Sequence, residues 1–140
     1  MKNTLLLLAV TTALFPSCKK DENRVVDTTA PTITITYPSN EAQYKAGDTL
    51  KIVGLVNDNE NLANLKIDIH EGDGHSHKSA ARGTEWNYNH TIALSGTSYN
   101  LNHSVLIPAT ADSAEYHVII NALDASGNAA EFVEIDIDIN

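Results

Sequence analysis

From residue 30 onward the chain alternates apolar and polar residues with a period of two, in short runs broken by turn residues. Thr32 to Tyr37 places Ile33 and Ile35 between threonines, and Pro38-Ser39-Asn40 ends the run. After the turn at Ala46-Gly47-Asp48, Leu50, Ile52, Gly54 and Val56 share a face. Asn57 to Asn61 is a polar loop, followed by Leu65, Ile67 and Ile69 alternating with Lys66, Asp68 and His70. A long loop with Gly and His runs from Glu71 to Gly83. Trp86, Tyr88, His90, Ile92 and Leu94 then share a face, as do Tyr99, Leu101, His103, Val105 and Ile107 after the turn at Ser95-Gly96-Thr97-Ser98. Tyr116, Val118, Ile120 and Ala122 form a further face, and Val133, Ile135, Ile137 and Ile139 alternate with Glu134, Asp136 and Asp138 at the end. No stretch after the N-terminus carries a helical period. The pattern predicts seven strands and an all-β Greek-key sandwich over residues 30–140.

The N-terminus follows a different rule. Met1-Lys2-Asn3 is cationic, and Thr4 to Phe15 is an apolar run too short to span a bilayer. Residues 1–17 therefore read as a signal peptide. The chain's single Cys, Cys18, follows Phe15-Pro16-Ser17, and this segment resembles the lipobox of bacterial lipoproteins. The resemblance implies cleavage before Cys18 and lipidation of its thiol, although Phe15 and Pro16 depart from the usual residues. Lys19-Lys20-Asp21-Glu22-Asn23 resembles the export tag of Bacteroidetes surface lipoproteins. That implies an outer-membrane domain facing outward, with a periplasm-facing anchor as the alternative. Residues 18–29 read as the lipidated Cys and a polar tether.

One domain's worth of chain remains. The 140 residues carry a net charge of −9, which argues against nucleic-acid binding, because phosphate contacts need clustered Lys and Arg. The expected membrane contact is through the lipid anchor, and the domain is read as a monomer.

The sandwich resembles bacterial immunoglobulin-like domains. Ala30-Pro31-Thr32-Ile33, Tyr44 with Gly47-Asp48, Asp58-Asn59, and Tyr116 through Asp124 to Gly127-Asn128 carry the resemblance. It implies that Tyr116 pins the corner before its strand. There is no Cys pair and no Trp in the third strand, so antibody-type domains are excluded. With the stretch Asp68-Ile69-His70-Glu71-Gly72-Asp73-Gly74-His75-Ser76-His77, the chain is similar to a group of Bacteroidetes lipoproteins carrying domain of unknown function 4625. That family implies no activity.

Six histidines against one Met and one Trp are the chemical peculiarity. In a Greek-key sandwich the third strand lies antiparallel to the sixth, which sets His70 beside His117 on an outer face. The loop leaving His70 carries His75 and His77 among glycines. Four imidazoles can then converge, with Glu71 and Asp73 in reserve, and imidazole suits Zn and Cu. The opposing reading is solvated surface histidines without a ligand. The second choice is the pair His90 and His103, directly opposite in a hairpin with Cβ atoms about 4.5–5.5 Å apart. That pair could share a cation or simply hydrogen-bond to each other.

Asp27, the loop Asp58-Asn59-Glu60, and Asp124 with Asn128 should gather at the tether-proximal end. Their oxygens are of the type Ca²⁺ takes. Ordinary Asx turn chemistry explains the same residues and is preferred there. The acidic face Glu134, Asp136 and Asp138 reads as solvated sheet.

An enzyme is not expected. His70-Glu71 is not a His-Glu-x-x-His helix, no Ser sits in a nucleophile elbow, and no Gly-rich phosphate loop exists. Two function classes stand. One is a surface metal-binding protein for capture or delivery, partnered by a receptor or uptake system. The other is an immunoglobulin-like module that binds a protein or glycan without metal.

Overall fold

The computed structural model describes residues 25–72 and 84–140. Residues 1–17, expected as a signal peptide, Cys18, the segment Lys19 to Asn23 expected as an export tag, His75 and His77 lie outside the described residues. Within them, no helix is long and apolar enough to cross a membrane.

The described residues form eight strands: β1 (Thr32–Tyr37), β2 (Ala42–Tyr44), β3 (Thr49–Asn57), β4 (Leu62–Glu71), β5 (Tyr88–Ala93), β6 (Ser98–Leu106), β7 (Glu115–Asp124) and β8 (Val133–Ile139). They form a three-stranded sheet in the order β1-β3-β6 and a five-stranded sheet in the order β2-β8-β7-β4-β5. The expected count was seven. The extra strand is β2, which pairs parallel with β8 through Ala42, Gln43 and Tyr44. Three residues are too short to show a period of two, so the pattern could not announce it.

The core is the set of inward positions the alternation marked. Leu50, Ile52 and Val56 of β3 and Leu101 and Val105 of β6 close against Leu65, Ile67 and Ile69 of β4. Tyr116, Val118 and Ile120 of β7 and Ile135, Ile137 and Ile139 of β8 complete it. Leu62 is buried out of phase with Leu65, because a register shift between Leu62 and Asn64 turns both inward. Gly54 holds an inward position where β1 comes very close. A Cβ on it would lie 2.5 Å from the Thr34 carbonyl oxygen and 2.7 Å from Ile35 Cδ1.

Tyr116 is fully buried, and its hydroxyl donates to the Asp112 carbonyl at 3.3 Å. Its ring lies 5.7 Å from that of Trp86, which is buried before β5 begins. The alternation of β7 thereby fixes Tyr116 inward and His117 outward.

One expected pairing is overturned. β5 and β6 do not form a hairpin: β5 pairs with β4, and β6 pairs with β3, in the other sheet. The connection between them is bonded to the β3–β4 loop instead of closing on itself. Leu94 N–H donates to the Ala63 carbonyl, Gly96 N–H to Asn61 Oδ1, and Leu62 N–H to the Gly96 carbonyl. The segment is an arch from one sheet to the other.

Candidate histidine face and acidic end

β4 and β7 run antiparallel with His70 directly opposite His117. Both belong to the outward phase of the five-stranded sheet, since their neighbours Ile69, Tyr116 and Val118 are buried. The imidazole centroids are 5.8 Å apart with the rings tilted by 49°.

Each ring is held by a carboxylate at the same nitrogen. His117 Nδ1 lies 2.8 Å from Asp136 Oδ1 and 3.3 Å from Glu134 Oε1, both on β8. His70 Nδ1 lies 3.0 Å from Asp68 Oδ1. An ionised carboxylate only accepts, so both rings donate from Nδ1, and in the neutral ring this makes Nε2 the nitrogen with the lone pair. Asp68 is suited to this role. Burial pushes its carboxyl up, but hydrogen bonds from His70, Lys66 and Asn89, together with the Lys66 charge, outweigh burial and hold it below the usual carboxylate range. Carboxylates bonded to the far nitrogen are the usual orienting partners of metal-ligating histidines.

Gly72 stands against the other side of His117. A Cβ there would lie 2.5 Å from His117 Nε2 and 3.3 Å from Glu115 Oε1. Only glycine leaves the space beside Nε2 clear. Glu71, expected in reserve, pairs with inward-facing Tyr116 and so belongs to the opposite phase from His70. Asp73 lies outside the described residues. The residues that sequence reading missed are Asp136, Glu134, Asp68, Gly72 and Glu115.

His90 and His103 do meet, by a route other than the hairpin. His90 pairs with Ile67 and His103 with Ile52, both fully buried, so the imidazoles face each other across the two sheets. Their rings stack 4.9 Å apart at 17°. Tyr88 Oη is 2.8 Å from His103 Nε2. Burial pushes the Tyr88 phenol up, so it stays protonated and donates, occupying the His103 lone pair. Burial and then the neighbouring His90 push the His103 imidazole down from 6.5.

That shift has a pH consequence. Below about pH 6.5 the unfolded chain takes a proton on His103 that the folded chain resists. The contribution is therefore complete above about pH 6.5 and is lost as pH falls toward the depressed folded value. Thermal melts between pH 7 and 5 should show the wild type losing a few degrees more than a His103→Gln variant. Parallel profiles would remove His103 as the cause.

At the other end, Asp27, Asp58 and Asp124 each offer a carboxylate oxygen within 4.8 Å of the others. Asp27 and Asp124 are buried, at 8% and 2% exposure. Asp124 Oδ1 accepts from Ser126 N–H at 2.9 Å and Asn128 N–H at 2.6 Å, and Oδ2 accepts from Asn128 Nδ2 at 2.6 Å. Burial pushes this carboxyl up, and the hydrogen bonds from Asn128, Gly127 and Ser126 outweigh it and bring it below the usual range. Asn128, a sequence candidate for a ligand, turns its amide nitrogen to Asp124 and to the Asp27 carbonyl at 3.1 Å. It braces the cluster by donation.

No curated protein matches the chain. Among solved structures, the fibronectin(III)-like modules of Clostridium thermocellum CbhA share 16% identity, with a TM-score of 0.43 over 77% of this chain and 94% of theirs. A DUF4466 family protein from Parabacteroides merdae shares 10%, with a TM-score of 0.49 over 80% of this chain. Spo0M, a sporulation control protein from Bacillus subtilis, shares 10%, with a TM-score of 0.44 over 79%. The chain spans 45% and 49% of the lengths of these last two. Residues 16–140 match the family described as Domain of unknown function (DUF4625), and the chain belongs to that family.

Proposed function

We propose that the chain is a lipid-anchored, non-enzymatic outer-membrane domain that binds a transition-metal ion, Zn²⁺ or Cu²⁺, on the outer face of its five-stranded sheet. His70 and His117 supply two Nε2 ligands, and His75 and His77 complete the sphere. The anchor is Cys18, the domain faces outward, and a monomer captures the ion or passes it to an uptake system.

The observation that carries this reading is the shared orientation of His70 and His117. Both give Nδ1 to a carboxylate, neither Nε2 has a hydrogen-bond partner among the described residues, and they stand at one register position. Two imidazoles on one Zn²⁺ at 2.0–2.1 Å in tetrahedral geometry have centroids roughly 5 Å apart. The observed 5.8 Å is within a small side-chain rotation of that. His75 and His77 follow Gly72 by three and five residues. At about 3.3–3.6 Å per residue, both are within covalent reach of the pair.

A second reading, a protein- or glycan-binding module without metal, is favoured by the same face. A shallow groove of about 550 Å³ is lined by Lys66, Ile119, Asn121, Leu123, Phe132 and Glu134. Phe132 is 56% exposed there.

Titration of Zn²⁺ and Cu²⁺ into the full-length chain in detergent separates the two. The metal reading expects one ion per chain, with affinity reduced more than tenfold in His70→Ala/His117→Ala and in His75→Ala/His77→Ala, and unchanged in His90→Ala/His103→Ala. Loss confined to the last variant would move the site to the inter-sheet pair. Absence of binding in the wild type would leave the interaction module.

A further inference from the structure

We propose that Asp27, Asp58 and Asp124 form a calcium site that fastens the segment preceding β1 to the end of the sandwich. Three parts of the chain meet there: residues ahead of β1, the β3–β4 loop, and the last residue of β7.

Two of the three carboxylates, Asp27 and Asp58, are used in the same way, while both oxygens of Asp124 accept hydrogen bonds. Asp27 Oδ1 accepts from Thr29 N–H at 2.9 Å and from Asn59 Nδ2 at 3.0 Å. Asp58 Oδ2 accepts from Glu60 N–H at 2.9 Å and Asn61 N–H at 2.8 Å. In each of these two, one oxygen winds the local backbone. The other oxygens, Asp27 Oδ2 and Asp58 Oδ1, are buried and have no hydrogen-bond partner among the described residues. Asx turns account for the first oxygens and leave the second ones bare.

A buried carboxylate oxygen without a partner is unfavourable, and clustered carboxylates repel one another. Among the described residues, no Lys, Arg or His forms an ion pair with any of the three. A hard cation resolves both problems at once. Oxygens bound to one Ca²⁺ at 2.3–2.6 Å lie at most about 5 Å apart. The three carboxylates each bring an oxygen within 4.8 Å of the others, inside that limit. Mg²⁺ demands near-ideal octahedral geometry at about 2.0–2.1 Å and keeps several waters, whereas Ca²⁺ takes many side-chain oxygens in irregular spheres, so a cage of three carboxylates suits Ca²⁺ better. An all-oxygen donor set also sets this site apart from the imidazole face, which takes a softer ion.

The consequence is mechanical. Asp27 is the one ligand outside the strands and loops of the sandwich proper, and it lies on the segment leading back toward Cys18. Bound calcium joins that segment to β3–β4 and β7, and calcium removal releases it. The inference does not rest on the histidine reading, and the two ions are told apart by the variants that abolish each.

The test uses the full-length chain in detergent, stripped with chelator and then given CaCl₂ or MgCl₂ alone. Calcium should raise the melting temperature by about 5 °C or more and slow proteolysis around residues 19–29. Asp27→Asn should abolish both effects. It should also melt at or above the wild type in chelator, because one of three repelling charges is gone. His70→Ala/His117→Ala should respond to calcium as the wild type does. An unchanged wild-type melting temperature in calcium would overturn the proposal, as would a calcium response retained in Asp27→Asn. An equal shift from magnesium would overturn the assignment to calcium.

Discussion

Replacing Tyr116 by Ala is expected to cost about 3–5 kcal/mol, the range for deleting a large buried aromatic side chain. Tyr116 is fully buried, packs on Trp86, and reaches the Asp112 carbonyl. Small domains hold only about 5–15 kcal/mol in total, so the variant should melt roughly 10–20 °C lower or fail to fold. Tyr116→Phe keeps the ring and removes only the 3.3 Å hydrogen bond. It should cost about 0.5–1.5 kcal/mol. Chemical denaturation of the three proteins checks the series. Equal losses for Phe and Ala would mean that the hydroxyl, not the packing, holds the corner. The result bears on the site because β7 sets His117 one residue beyond Tyr116, on the opposite face.

Gly72→Ala is expected to reduce Zn²⁺ affinity by more than tenfold, although Gly72 is not a ligand. Its Cβ would arrive 2.5 Å from His117 Nε2, closer than carbon and nitrogen tolerate. The imidazole must then swing away, and its bond to Asp136 is disturbed. Removing a carboxylate that orients a ligand typically costs 10–100-fold in metal affinity, which sets the scale for displacing the ring itself. Folding stability should change by only about 1 kcal/mol, because Gly72 lies at a strand end. Calorimetric titration with a parallel melt separates the two effects. Wild-type affinity in Gly72→Ala would show that Nε2 is not the coordinating atom.

The strands were legible because both sheets bury one face each, and a half-buried strand writes its register as alternation. The placement of His70 beside His117 followed from topology alone and holds residue for residue. Partnership within the sandwich was less visible. Ser95 to Ser98 reads as a hairpin turn by composition, yet Leu94 and Gly96 bond to Ala63 and Asn61, which the local sequence does not reveal. The facing of His90 and His103 survived because an arch, like a hairpin, brings two inward faces together.

In the sequence Asp136 reads only as solvated surface, because its contact with His117 depends on the β7–β8 register. Asp68 carried a usable signal, since it sits two residues before His70 on the same outward face. The acidic end was located correctly from its Asx residues. What the sequence could not show is that Asp27 Oδ2 and Asp58 Oδ1 would be buried without partners, because the same residue types close ordinary turns.

The most direct measurement of the central claim is the ¹⁵N spectrum of the imidazoles in the full-length chain, recorded before and after one equivalent of Zn²⁺. In the metal-free protein, His70 and His117 should both carry the proton on Nδ1, as their carboxylate partners require. On adding Zn²⁺, the Nε2 resonances of His70 and His117 should shift together, while those of His90 and His103 stay in place. A neutral His70 or His117 carrying its proton on Nε2 with Nδ1 bare in the free protein, or a zinc shift confined to His90 and His103, would contradict it.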